Sequence, residues 1–371
     1  MLIDGTTGRS DRLLPTFASA SYRDPEILDR EWDRIFGRSW LCAGREDRIP
    51  EPGDYFTLPI GNESILILRD RERRPRAYYN VCRHRGTQLT DRESGRFDAT
   101  IVCPYHAWSY ALDGQLIGTP HQHEGDGFRR EDFPLYSVAL EVWEGFLFVN
   151  LAGAKAAPLI DQLGGLPERV ARYPLSGLRT HSCLTHEVAS NWKILMENYM
   201  ECYHCPGIHP ELCELVPLFG TGEVDNTADG KPAYFRDGVS TLTADGKTRR
   251  PYLRGIGEEE KRIFHGELVH PNMMLNILPD CANVRVIWPI TPSRTLVRTE
   301  YLFEPETMAR DNFDPSDVIE FTSLIARQDW EICERVQKGV ASRAHARGVY
   351  LPIERDVEEF TRWVRDRVDP P

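Results

Sequence analysis

Apolar positions along the chain follow two periods. Between 24 and 37 they fall at helical spacing. Ile27, Leu28, Trp32, Ile35 and Phe36 make one stripe, Asp24 stands at the N-cap, Pro25 fits the first helical position and Gly37 a stop. From about residue 46 the period shortens. Asp54 to Leu58, Ser64 to Leu68 and Ala77 to Val81 read as strands, with Gly61-Asn62 as a hairpin turn. Ile101-Val102, Trp108 to Leu112, Leu116-Ile117, Val138 to Val142 and Phe146 to Asn150 continue the pattern. Residues 46–155 are therefore predicted as a small all-β domain. Residues 1–45 form a helical segment expected to pack on the larger domain that follows.

That larger domain, 156–371, reads as α+β. Ala152 to Pro158 is a small-residue linker into it. Helical signals at 159–173 precede a strand at 180–188 and a helix entered through Asn191-Trp192-Lys193. Strands are predicted at 273–278, 283–290 and 294–304. A long helix runs from Pro315 to Gln337, between Asp314 as cap and Gly339 as stop, with Val318, Phe321, Ile325, Ile332 and Val336 as its apolar stripe. Residues 217–257, rich in Gly, Asp, Thr and Pro, read as a lid or mobile loop. Thr-Ala-Asp-Gly-Lys occurs there twice, at 227–231 and 243–247, as turn chemistry rather than a repeat architecture.

Composition narrows the function. The formal charge of −12 argues against nucleic acid or an anionic membrane surface as partner. No apolar run approaches the ~20 residues that span a bilayer. The first residues, Met1 to Ser10, lack a basic region followed by an apolar core, so a cytoplasmic location is expected. Nine irregularly spaced cysteines then suit reduced thiols and metal ligands better than a disulfide framework.

Two stretches carry the candidate chemistry. Cys82-x-His84 and Cys103-x2-His106 each follow a strand and open a turn. Structural zinc takes its cysteines and its histidines as pairs of like residues. A Rieske [2Fe–2S] centre has two Cys on one iron and two His on the other. One Cys and one His from each loop matches the second pattern. The other stretch is Glu197-Asn198-Tyr199-Met200-Glu201-Cys202-Tyr203-His204-Cys205-Pro206-Gly207-Ile208-His209. If it is helical up to Cys205, Glu197, Glu201 and His204 share a face, Pro206 breaks the helix, and His209 returns through a turn. His204 and His209 would then serve a mononuclear metal with open coordination positions. Cys202 and Cys205 are expected as packing residues rather than ligands.

Cys82-Arg83-His84-Arg85-Gly86 and Cys103-Pro104-Tyr105-His106-Ala107-Trp108 resemble the cluster loops of Rieske non-haem iron oxygenase α subunits, in which the position of Ala107 is usually Gly. The resemblance implies an all-β Rieske domain and a helix-grip catalytic domain, with an antiparallel sheet and helices. It also implies a mononuclear Fe(II) held by two His and an Asp on a late helix. Asp329 fits that third place. It lies in register with the apolar stripe, where a lone carboxylate is costly unless paired or ligated, and Gln328-Asp329-Trp330-Glu331-Ile332-Cys333-Glu334 resembles the family's ligand helix. By the same resemblance the protein is a homotrimer, and Glu201 bridges the iron site of one chain to His106 of the partner subunit. Glu at that place, within Glu-Cys-Tyr-His-Cys-Pro, resembles the choline, carnitine and glycine-betaine monooxygenase branch.

The implied activity is O2-dependent hydroxylation, or N-demethylation, of a small quaternary or methylated amine. Electrons would come from NAD(P)H through a separate flavin and iron–sulfur reductase, since no Gly-rich nucleotide fingerprint follows a strand here. A cationic substrate would want an aromatic cage, for which Tyr199, Tyr203, Phe219, Tyr234 and Trp288 are candidates. The alternatives are an aromatic substrate, a Cys2His2 zinc-stabilised binding protein, or a Rieske electron carrier; a carrier needs neither the second metal site nor so long a chain. Arg83 and Arg85 either tune the cluster or dock a reductase, or are simply exposed charges. His121, Gln122 and His123 read as a solvent-facing loop. His265 and His270 are candidates for the pocket or the surface.

Overall fold

The computed structural model describes residues 13–121, 127–222 and 232–369. The first Thr-Ala-Asp-Gly-Lys copy, with Gln122 and His123, lies outside the described residues. The β pattern of the first half folds as antiparallel sheets. One has the order Pro75–Tyr79, Glu63–Arg69, Asp54–Ile60, Ser94–Arg96, and its hairpin turns at Gly61, whose φ of +59° is the left-handed region that favours glycine. A second joins Thr100–Val102, Ser109–Ala111 and Leu116–Gly118. In a third, Phe146–Asn150 lies between Ala139–Trp143 and Leu41–Arg45, so a strand from the N-terminal segment completes this sheet. All five residues of Phe146–Asn150 are buried, which accounts for the unbroken apolar run from Phe146 to Val149.

Asp24 caps the helix Pro25–Glu31 by accepting from Glu26 N, and a π-helical turn continues it through Trp32–Phe36. This segment is tied to the second half. Leu14–Ala18 pairs with Arg347–Tyr350, and Phe36, Trp192 and Phe360 pack edge to face.

The second half is built on a six-stranded antiparallel sheet. Its order is Arg179–Val188, Arg294–Phe303, Ala282–Thr291, Met273–Ile277, Ile263–Val269, Ala233–Tyr234. The long helix, Ser316–Val340, crosses one face, where Tyr301 Oη meets Thr322 Oγ1 at 3.0 Å. Its buried side carries Val318, Ile325 and Cys333 but leaves Val336 exposed. Gln337 takes that place instead, because its amide accepts from Asn191 N and donates to Tyr22 O. The helix predicted at 159–173 splits into Leu159–Leu163 and Leu166–Val170 at Gly164, whose φ is +54°. The described part of 217–257 is pinned rather than loose from 241 to 250. Arg250 is buried against Asp280 and Asp317, and Thr241 and Thr248 also donate to Asp280. Among the described residues no helix is long and apolar enough to cross a membrane.

Candidate active site

The two Cys/His loops share one backbone design. Cys82 N bonds Thr87 O and Gly86 N bonds Cys82 O; Cys103 N bonds Trp108 O and Ala107 N bonds Cys103 O. Each turn closes through a left-handed residue, Gly86 at φ +74° and Ala107 at φ +56°. The thiols of Cys82 and Cys103 are buried, His84 is exposed and His106 half-buried. The imidazole rings stand 4.6 Å apart, and His84 stacks on Trp108 at 4.8 Å. Burial raises the Cys82 thiol, and the Tyr110 hydroxyl, 3.3 Å from its sulfur, works against the rise. Two thiols inside and two imidazoles outside suit a cluster whose inner and outer irons want different donors. Arg83 serves the loop itself: it donates to Pro134 O and stacks over Tyr136. Arg85 is exposed beside Tyr105.

The second stretch is not one helix. Trp192–Tyr199, capped by Asn191, ends before Glu201, whose Oε2 accepts from His204 N and so competes with helical continuation. Pro206 does not break a helix but occupies the first turn of the next, Cys205–Ile208. Glu197 therefore does not share a face with His204; it accepts from the Tyr22 and Tyr350 hydroxyls. The tight turn also brings Cys202 and Cys205 to a Cα separation of 4.9 Å and joins them in a disulfide, so this pair is not reduced packing. The other described cysteines are free.

His209 does return to His204, with ring centroids 5.2 Å apart. Asp329 Oδ1, from the long helix, stands 2.8 Å from His209 Nε2 and 3.4 Å from His204 Nε2. One ligand atom from each residue lies within 4.8 Å of the others. The far side of each ring is occupied: Glu201 Oε1 accepts from His204 Nδ1 at 2.7 Å, and Gln328 Oε1 from His209 Nδ1 at 2.8 Å. Gln328 stands at this site although sequence reasoning did not single it out. Burial opposes protonation of His204, but hydrogen bonds to Asp329 and Glu201 outweigh it and push the imidazole up to about 9. Burial alone would raise Asp329; contacts to His204 and His209 hold it at about 2. The donors thus demand positive charge at their centre. Two imidazoles and one carboxylate, with both Nδ1 atoms already committed, fit a divalent iron.

These residues open on a cavity of about 560 Å³. Tyr199, Phe219 and Phe264 line it, with Leu212, Leu242 and Ile325, and so do the carboxylates of Glu201 and Glu267. Tyr203, Tyr234 and Trp288 do not line it: Tyr203 and Tyr234 are exposed, and Trp288 lines a groove beside Trp32 and Arg298. His270 lines the cavity, stacked on Phe360 and Trp363, and burial lowers its imidazole to about 4. His265 instead pairs with Glu267 at 2.8 Å. His121 is exposed.

A sequence profile for the Rieske [2Fe-2S] domain matches residues 39–141, and one for the ring hydroxylating alpha subunit (catalytic domain) matches residues 175–370. The glycine betaine monooxygenase oxygenase subunit of Chromohalobacter salexigens is 33% identical, over 93% of this chain and 84% of that protein. The carnitine monooxygenase oxygenase subunit of Escherichia coli K12 is 32% identical, over 89% and 85%. The crystal structure of the quaternary ammonium Rieske monooxygenase CntA with L-carnitine superposes with a TM-score of 0.76 at 27% identity, covering 96% of each chain.

Proposed function

The chain belongs to the ring-hydroxylating oxygenase α subunits with a Rieske [2Fe–2S] domain, and from that premise we propose that it oxygenates a quaternary or methylated amine at a carbon attached to nitrogen. It is an oxidoreductase, the oxygenase component of a two-component system. In this reading 46–155 is the cluster domain and 156–371 the iron domain; the helix Pro25–Glu31 packs on the latter, while the strand Leu41–Arg45 joins a sheet of the former. Cys82, His84, Cys103 and His106 hold the [2Fe–2S] cluster; His204, His209 and Asp329 hold the iron. When bound, the cluster supplies single electrons and the iron supplies O2 activation for C–H hydroxylation.

The chain's own groups prepare that chemistry. Glu201 and Gln328 keep a proton on each Nδ1, which leaves both Nε2 atoms free for the metal. Leu212, Leu242 and Ile325 exclude water from the reacting carbon. Hydroxylation of an N-methyl group gives a carbinol that loses formaldehyde, which is N-demethylation. The observation that carries the amine reading is the lining: the Tyr199, Phe219 and Phe264 rings share one cavity with the metal ligands, and aromatic faces favour a cation. The glycine betaine and carnitine monooxygenase relatives support the same class. Assembly as a homotrimer, with Glu201 hydrogen-bonded to His106 of the partner subunit, and a cytoplasmic location complete the proposal.

The test is coupled turnover with a compatible NAD(P)H reductase. Methylated amines should consume O2 in step with product formation. Coupled hydroxylation of aromatic acids, with amines inert, would contradict the proposal.

A further inference from the structure

Arg285 enters the same cavity from the central strand Ala282–Thr291, and its charge is unanswered. The residue is 9% exposed. Its Nη2 donates to Thr322 O at 3.2 Å, while its buried Nε has no hydrogen-bond partner. No ion pair holds it among the described residues. Arg250, similarly buried, shows the usual arrangement: it meets two carboxylates, Asp280 and Asp317. The polar neighbours of Arg285 on the sheet bond one another instead. Tyr199 donates to Asn276 Oδ1 at 2.7 Å, and Asn276 Nδ2 donates to Asn283 Oδ1 at 3.0 Å. Asn276 stands opposite Asn283, two residues along the strand from Arg285, so these groups share one face of the sheet.

A guanidinium offers five donors and does not lose its proton. Burying one without a counter-charge is costly, and Arg285 lines a ligand cavity. The planar fork fits a carboxylate with two parallel hydrogen bonds. A ligand that is only cationic would leave the guanidinium unanswered. A zwitterion brings its own anion.

We propose that Arg285 binds a carboxylate of the substrate, so that the pocket selects betaines, in which a methylated ammonium is joined by a short chain to a carboxylate, over cationic alcohols. The inference rests on the amine reading above and deepens it. Anchoring the anionic end fixes the molecule along the cavity and leaves the ammonium methyl groups for the end held by His204, His209 and Asp329.

Anaerobic calorimetry on the holoenzyme tests it with three probes of similar size: glycine betaine, choline, and 3,3-dimethylbutanoate, which has the carboxylate but an uncharged head. Glycine betaine should bind at least about tenfold more tightly than choline, and Arg285→Gln should bring that ratio close to one while leaving choline affinity in place. Equal binding of glycine betaine and choline by the wild type overturns the proposal without recourse to any variant. A preference that survives in Arg285→Gln overturns it as well. If 3,3-dimethylbutanoate binds as tightly as glycine betaine and weakens in Arg285→Gln, the carboxylate site stands and the amine reading fails. If none of the three binds, both fall.

Discussion

Oε1 of Glu201 lies 2.7 Å from Nδ1 of His204, only three residues along the chain. The turn that makes this contact possible also ends the preceding helix. Gln328 performs the same service for His209 from the residue next to Asp329. Gln328→Leu should therefore weaken iron binding about 10- to 100-fold, read by chelator competition; unchanged affinity would show that the amide does not orient the ring. Glu201→Gln still offers an acceptor to His204. It should keep both metals yet slow single-turnover electron transfer, and an unchanged rate would refute the bridging role.

Ala107 occupies a left-handed conformation that its counterpart Gly86 meets without a Cβ. The strain of such a conformation in a non-glycine residue is about 1 kcal/mol. Ala107→Gly should stabilise the cluster loop by up to about that amount, and Gly86→Ala, which has no heavy atom within 4 Å of the added Cβ, should cost a similar amount through the backbone alone. Denaturant unfolding of the holoprotein measures both. Destabilisation by Ala107→Gly would contradict the account.

What could be read in advance was whatever is local in sequence. The two Cys/His loops are short motifs whose residue order points to their proposed chemistry, and Asp329 stood out as a charge on an apolar stripe. Asp24 and the Gly61-Asn62 turn act within a few residues of themselves and were legible for the same reason. Arg285 was not legible, because a single arginine in an apolar strand looks the same whether or not an acid answers it across the fold. The strand Ile263–Val269 was hidden by its half-buried His265 and Gly266 and its buried, charged Glu267. The helix Arg355–Val368 was hidden by charge, with Val357, Phe360, Val364 and Val368 as its narrow buried stripe. The end of the helix at Tyr199 depends on a side chain, Glu201, folding back onto the backbone, which spacing alone does not disclose.

Lys193 and Glu31 form a fully buried ion pair with Nζ and Oε1 2.5 Å apart, and Trp192 Nε1 also donates to Glu31. The pair fastens the N-terminal helix to the helix that leads towards His204 and His209. Glu31→Gln leaves a buried ammonium uncompensated and should cost roughly 3–5 kcal/mol. Glu31→Leu combined with Lys193→Met should recover most of that loss. Equal instability of the single and double variants, by thermal unfolding, would contradict the pairing argument.

Burial lifts the Glu197 carboxyl to about 7, against the hydrogen bonds from Tyr22 and Tyr350, while the ordinary value is 4.5. The folded protein therefore keeps a proton that the unfolded chain releases. The stability from this group is full below pH 4.5 and is lost as pH rises through about 7, a difference on the order of 3 kcal/mol. Glu197→Gln should flatten the unfolding free energy between about pH 5 and 8. An identical pH slope in the variant would sink the assignment.

The central claim is that one chain carries a Rieske cluster and a separate iron held by His204, His209 and Asp329. Metal analysis and EPR of anaerobically purified wild type and His204→Ala test it together. The account predicts red-brown protein with about three irons per chain and a reduced Rieske signal, and a variant that keeps the signal but holds about two irons and no turnover. Zinc in place of iron, colourless protein, or loss of the cluster signal in His204→Ala would contradict it.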